Sequence, residues 1–127
     1  NTYYTYDKGY MISEVEIYDK KVKILTHHGF PYRRFNSTPE NNKEVFEFFD
    51  NVIENYNPNI ITGDFNAENF MTLMNKTAKK YKRTIDSITT VDGQRFDDIL
   101  LPEEIKYQSK IVKLLSDHYI IISEINY

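Results

Sequence analysis

The segment that most limits what this chain can fold into is Asn59-Ile60-Ile61-Thr62, a short, apolar, β-prone run between two stretches of helical periodicity. Such a run reads as a strand buried inside a sheet, and a buried strand between helices demands layered α and β structure. The strand is expected to break at Gly63 into Asp64-Phe65-Asn66, since glycine, aspartate and asparagine are turn formers. Upstream, Met11, Ser13, Val15 and Ile17 alternate with Ile12, Glu14, Glu16 and Tyr18. After Asp19-Lys20 a second alternation runs Val22, Ile24, Thr26 and His28, so a hairpin is predicted.

Thr38-Pro39-Glu40 supplies a cap residue, a first-turn proline and a first-turn acid, so a helix starts there. Val45, Phe48, Phe49, Val52, Ile53 and Tyr56 keep helical spacing, and Asn57-Pro58 ends the run. A second helix is expected from near Glu68, with Phe70, Leu73, Met74, Thr77, Ala78 and Tyr81 on its buried side. Strands are then expected at Ile85 to Thr89, Phe96 to Leu101 and Tyr119 to Ile125, with another at Ile111 to Leu115. Val91-Asp92-Gly93-Gln94 reads as a turn. The order suits helices packed on a mixed or mostly antiparallel sheet, in a single domain without repeats or linkers.

With 127 residues, 40% of them hydrophobic, the chain can bury a core without disulfides, and it has no cysteine. No apolar run is long enough to span a bilayer, and the tyrosine-rich start Asn1 to Tyr6 does not read as a signal peptide. A soluble protein is expected, with the compartment open and the cytoplasm favoured. The net charge of −3 gives no support for a broad nucleic-acid footprint. Lys20, Lys21 and Lys23, and Lys79, Lys80, Lys82 and Arg83, form local basic clusters that read as solvated faces.

The chemistry-bearing residues gather at strand ends. Asp64 and Asn66 pair a carboxylate that can accept a proton with an amide that can only orient. Ser116-Asp117-His118 opens an apolar strand with a histidine able to hold a proton and an acid able to neighbour a hard divalent cation. Asp97 and Asp98 sit in an otherwise apolar strand, where acids need partners, and alternation sends them to opposite faces. His27 and His28 also face opposite ways, with His28 on the side of Val22, Ile24 and Thr26. Three histidines without helical spacing give little support to zinc. Arg33 and Arg34 suit phosphate, although loop arginines are commonly just solvated.

In order, the chain shows Thr26-His27-His28, a helix, Gly63 to Asn66, a helix, Phe96 to Leu100, and Ser116-Asp117-His118. Over about Gly9 to Tyr127 this series resembles the C-terminal motifs of the endonuclease/exonuclease/phosphatase family, which includes DNase I-like nucleases, sphingomyelinases and inositol-phosphate phosphatases. The resemblance implies an α+β fold, half of a four-layer α/β/β/α sandwich with mixed, mostly antiparallel sheets. It implies a magnesium-dependent phosphoesterase, with manganese as a substitute. Asp64 would handle the attacking water, Asn66 and His118 the phosphate, and Asp97 would pair with His118. His28, or His27 if the register slips by one, would match the histidine ending the "Thr-His" strand. Asp64, Asn66 and Asp117 are the metal-site candidates. The substrate would be a nucleic acid, a lipid head group or a small phosphate ester.

The family's first half normally supplies an asparagine and a metal-ligating glutamate. No counterpart is found here, since Glu14 and Glu16 come too late in the motif order. The chain, residues 1–127, is thus expected to be the C-terminal portion of a domain truncated at its N-terminus and inactive alone. The alternative is a noncatalytic module of the same fold that binds a phosphorylated or nucleotide ligand.

Overall fold

The computed structural model describes residues 9–126; Asn1 to Tyr6, read above as no signal peptide, lie outside the described residues. Strands β1 (Tyr10–Ile17) and β2 (Lys20–His28) form the expected hairpin, turning through Tyr18 and Asp19, which both have positive φ. Helix α1 (Lys43–Tyr56) follows a short 3₁₀ turn whose entry is capped by Thr38, the Oγ1 of which accepts the Asn41 N–H. It crosses to β3 (Ile60–Asp64), parallel to β2. Then come α2 (Asn75–Lys80), β4 (Tyr81–Arg83), β5 (Asp97–Pro102), β6 (Lys106–Val112) and β7 (Ile120–Asn126). The first five strands make one mixed sheet in the order β1-β2-β3-β5-β4, and β6 and β7 form a second, two-stranded sheet. The α+β class follows directly.

The core lies on the helix side of the larger sheet, where Leu25, Ile61 and Leu100 occupy one cross-strand row beneath Phe46, Phe49 and Ile53 of α1. The buried stripe of α1 is rotated from the expected one. Phe46, Phe49, Asp50, Val52 and Ile53 are buried, whereas Val45, Phe48 and Tyr56 are exposed. Asp50 decides the rotation, because its carboxylate accepts the N–H groups of Lys76 and Thr77 and the Thr77 hydroxyl. That carboxylate caps the start of α2 from outside, satisfying donors a helix end leaves free.

Three sequence expectations are corrected. The long helix from Glu68 to Tyr81 is replaced by a 3₁₀ turn (Phe70–Leu73), α2 and the strand β4. Met74, fully buried and non-helical (φ −129°), interrupts it, and Tyr81 leaves the helix to donate its hydroxyl to the Pro58 carbonyl. The stretch Ile85 to Thr89 forms no strand, because the Thr84 and Ile85 N–H groups go to the Asp98 carboxylate instead of a ladder. The late strand lies at Lys106–Val112 instead of Ile111 to Leu115, set by a register that pairs Val112 with Ile120.

Strand β3 also runs through Gly63 to Asp64 instead of stopping at the glycine. Gly63 (φ +149°) lies so close to β2 that a Cβ would sit 1.9 Å from the His27 carbonyl oxygen. Glycine therefore allows the pairing to continue for two residues, which is what carries Asp64 to the sheet rim. Among the described residues, no helix is long and apolar enough to cross a membrane.

Candidate active site at the strand ends

Strand register builds the site. His28 ends β2, Asp64 ends β3 and Asp97 begins β5, and the three are successive cross-strand partners on one face of the sheet. The opposite face takes their neighbours. His27 stacks on Phe49 with ring centroids 4.0 Å apart, and Asp98 is buried against the Arg83 guanidinium at 2.5 Å. The structure thus places His28, not His27, at the rim. Burial pushes the His27 pKa down to about 4, and its buried Nδ1 has no hydrogen-bond partner among the described residues.

His118 reaches this row from the second sheet. Tyr119 N–H donates to the Thr89 carbonyl, Val91 N–H donates to the Asp117 carbonyl, and Thr90 bridges to His118. The imidazole Nδ1 lies 2.8 Å from Asp97 Oδ2, and its Nε2 lies 3.6 Å from Asp64 Oδ2. On the other side of Asp64, His28 Nε2 also stands 3.6 Å from the same oxygen. Partial burial opposes a charged His118, but the Asp97 hydrogen bond and the Asp97, Asp64 and Asp117 charges outweigh it and raise its pKa. Burial also raises the Asp64 pKa, opposed by the Asn66 N–H and helped by Asp97.

Asn66 adopts positive φ, a conformation asparagine tolerates, and folds back on both neighbours. Its N–H donates to Asp64 Oδ1 at 2.8 Å, and its Nδ2 donates to the Gly29 carbonyl at 2.7 Å. The second Nδ2 proton and the amide oxygen remain for a ligand. These residues line a cleft of about 520 Å³ that Pro31, Arg34 and Asp117 complete. A larger cleft, about 600 Å³, lies between the 84–93 loop and β6, but it lacks any carboxylate–histidine pair and is not where this chemistry gathers.

Asp64, Asp97 and His118 can bring one ligand atom each within 4.8 Å of one another, whereas Asp117, exposed on the cleft wall, stands outside that group. Asp97 Oδ2 and His118 Nδ1 are already engaged with each other. Asp64 and Asn66 offer the freer oxygens, a donor type that suits a hard cation which takes one or two protein carboxylates and keeps its waters.

Sequence reasoning missed Thr89. It is fully buried, donates its hydroxyl to Asp97 Oδ2 at 2.8 Å, and accepts the Phe96 and Asp97 N–H groups. It therefore fixes the carboxylate that orients His118. Two adjacent threonines before a turn carry no sequence signal for that role.

No family model matches the chain, and no curated protein sequence matches it. Solved structures do. The endonuclease domain of TRAS1, a telomere-specific non-LTR retrotransposon, superposes with a TM-score of 0.64 at 12% identity, over 93% of this chain and 64% of that one. The fold is DNase I-like. A Staphylococcus aureus beta toxin structure (275-280) gives 0.62 at 15% identity, over 93% and 57%. The F277A, P278A mutant of that toxin, with bound magnesium ions, gives 0.53 at 12% identity, over 93% and 54%. The chain thus spans 54% to 64% of the length of these neighbours.

Proposed function

We propose that this chain is the C-terminal part of a metal-dependent phosphoesterase, cleaving a phosphodiester or phosphomonoester once an upstream half completes the site. The observation that carries this reading is the continuous contact from Thr89 through Asp97 and His118 to Asp64, beside Asn66 in one cleft. Asp64, held at the end of β3, positions and deprotonates water for in-line attack. His118, kept protonated by Asp97, donates from Nε2 to a phosphoryl oxygen as charge develops there. The free Nδ2 proton of Asn66 supports a second oxygen. His28, flanking Asp64 from the opposite side, adds a donor at the rim. Magnesium, or manganese in its place, would be held by Asp64 and Asn66 with Asp117 nearby, and would supply Lewis-acid polarisation of the ester.

The upstream half is expected to bring the remaining metal ligand, in keeping with the share of the neighbours' length that this chain covers. Nucleic acid, lipid head groups and small phosphate esters all remain within this substrate class. The test is hydrolysis of bis(4-nitrophenyl) phosphate and 4-nitrophenyl phosphate with and without magnesium, by the chain alone and by the chain joined to its upstream half. The joined protein should turn over in a metal-dependent way and the chain alone should not. Asp64→Ala in the joined protein should lower kcat by on the order of a thousandfold. Full activity in that variant would overturn the assignment, and metal-dependent ligand binding without any turnover would establish the noncatalytic module instead.

A further inference from the structure

The loop after β2 carries two arginines that the proposed chemistry does not use. Its backbone is tied down at its start, on both sides of Gly29. Gly29 N–H donates to the Asp64 carbonyl at 2.6 Å, and the Gly29 carbonyl accepts from Asn66. A Cβ at Gly29 would lie 2.5 Å from the Phe65 carbonyl oxygen, so the loop rests directly on the backbone of the catalytic turn. Further on, Tyr32 is buried and stacked on Phe46, Phe30 stacks on Phe35, and the 3₁₀ turn Tyr32–Phe35 closes with Ser37 N–H on the Tyr32 carbonyl. Arg33 and Arg34 are therefore exposed side chains on an anchored platform, which lowers the entropy lost when they grip a ligand.

The two arginines are placed differently. Arg34 lines the catalytic cleft with His118 and Asn66, and the same three residues, with Pro31 and Asp117, form the wall that this cleft shares with an adjoining cleft of about 500 Å³. Arg33 lines only the adjoining one, as does Gln94 of the 91–94 turn. We propose that this adjoining cleft is a subsite for a second phosphate of the substrate, gripped by Arg33, with Arg34 set between that phosphate and the scissile one. The substrate class is then a phosphoester bearing at least one further phosphate. This rests on the phosphoesterase reading and narrows it. Asp92 and Asp117 share the wall, so bulk positive charge does not select the anion. Selection falls to the planar guanidinium forks, which bond phosphate oxygens in pairs.

The test is a calorimetric titration of the full-length protein, with magnesium, using thymidine 5′-phosphate and thymidine 3′,5′-bisphosphate as probes. The wild type should prefer the bisphosphate by about tenfold or more, the gain expected of one additional charge-assisted pair. In Arg33→Ala/Arg34→Ala the ratio of the two affinities should fall to near one. Lysine at both positions should restore only part of it, since a point charge lacks the fork. Circular dichroism should show all variants folded, both side chains being exposed. Equal wild-type affinities, or a preference that survives the double alanine variant, would overturn the proposal. Repeating the comparison with oligothymidylate and with inositol 1,4-bisphosphate assigns the second phosphate to a polynucleotide or to a small polyphosphorylated molecule, according to which shows the arginine-dependent gain. Because the readout is binding, absence of hydrolysis would remove the enzyme reading while leaving the subsite standing.

Discussion

Asp97 hydrogen-bonds His118 across the cleft, while Asp98, one residue on, pairs with Arg83 on the helix side of the sheet. Asp98 also accepts the N–H groups of Thr84, Ile85 and Ile99, so its buried carboxylate is fully satisfied. Strand alternation required them to diverge, and that much was readable from Phe96 to Leu100. Asp97→Asn should remove the charge that raises the His118 pKa. In the metal-free chain, the His118 ring resonances should titrate above the ordinary imidazole value of about 6.5 in the wild type and shift downward in the variant. Because the folded pKa is raised, the stabilisation from this pair is complete below the unfolded value and disappears as pH rises through the folded one. An unchanged His118 titration in Asp97→Asn, followed by NMR, would remove Asp97 from the positioning role.

At the scale of elements, the contact between β2 and β3 is the decisive one. The parallel pairing of His27 with Gly63 and of His28 with Asp64 exists only because no side chain stands at Gly63. Gly63→Ala should cost about 3 kcal/mol in chemical denaturation, combining a backbone clash with a disfavoured φ. Gly93→Ala, where φ is +85° but nothing lies within 4 Å, should cost only about 1 kcal/mol. Near-equal costs would mean that the β2–β3 approach is looser than described. The elements legible in advance were those that their own alternation or apolar runs announce, the β1–β2 hairpin, the α1 region and the strands β3, β5 and β7. Two of the misread ones, Glu68 to Tyr81 and Ile85 to Thr89, are shaped by distant carboxylates, Asp50 and Asp98, which draw backbone N–H groups that local pattern assigns to helix and strand, and the third, Ile111 to Leu115, was displaced by the β6–β7 register.

For the molecule as a whole, the larger sheet has one covered face and one partly open face, on which Val22 and Leu101 are still buried. Helices cover Leu25, Ile61 and Leu100, whereas on the other side Met11 is 62% exposed and Val15 is 37% exposed. A half-covered apolar sheet is the state a sandwich would be in with part of one layer supplied elsewhere. Joining the proposed upstream half should slow hydrogen exchange of β1 and β2 and reduce binding of an apolar dye. No change in either measurement would argue that this face is exposed in the working protein. By itself the sequence determined the class of fold and the order of the motifs, because periodicity and turn chemistry act over a few neighbouring residues. It also placed Asp64, Asn66 and His118 at strand ends and Asp97 within a strand. Only the tertiary structure decided that His28 and not His27 joins them, that Thr89 holds Asp97, and that Arg34 stands in the same cleft. Those facts depend on register between strands, which is set by the approach of chains far apart in sequence.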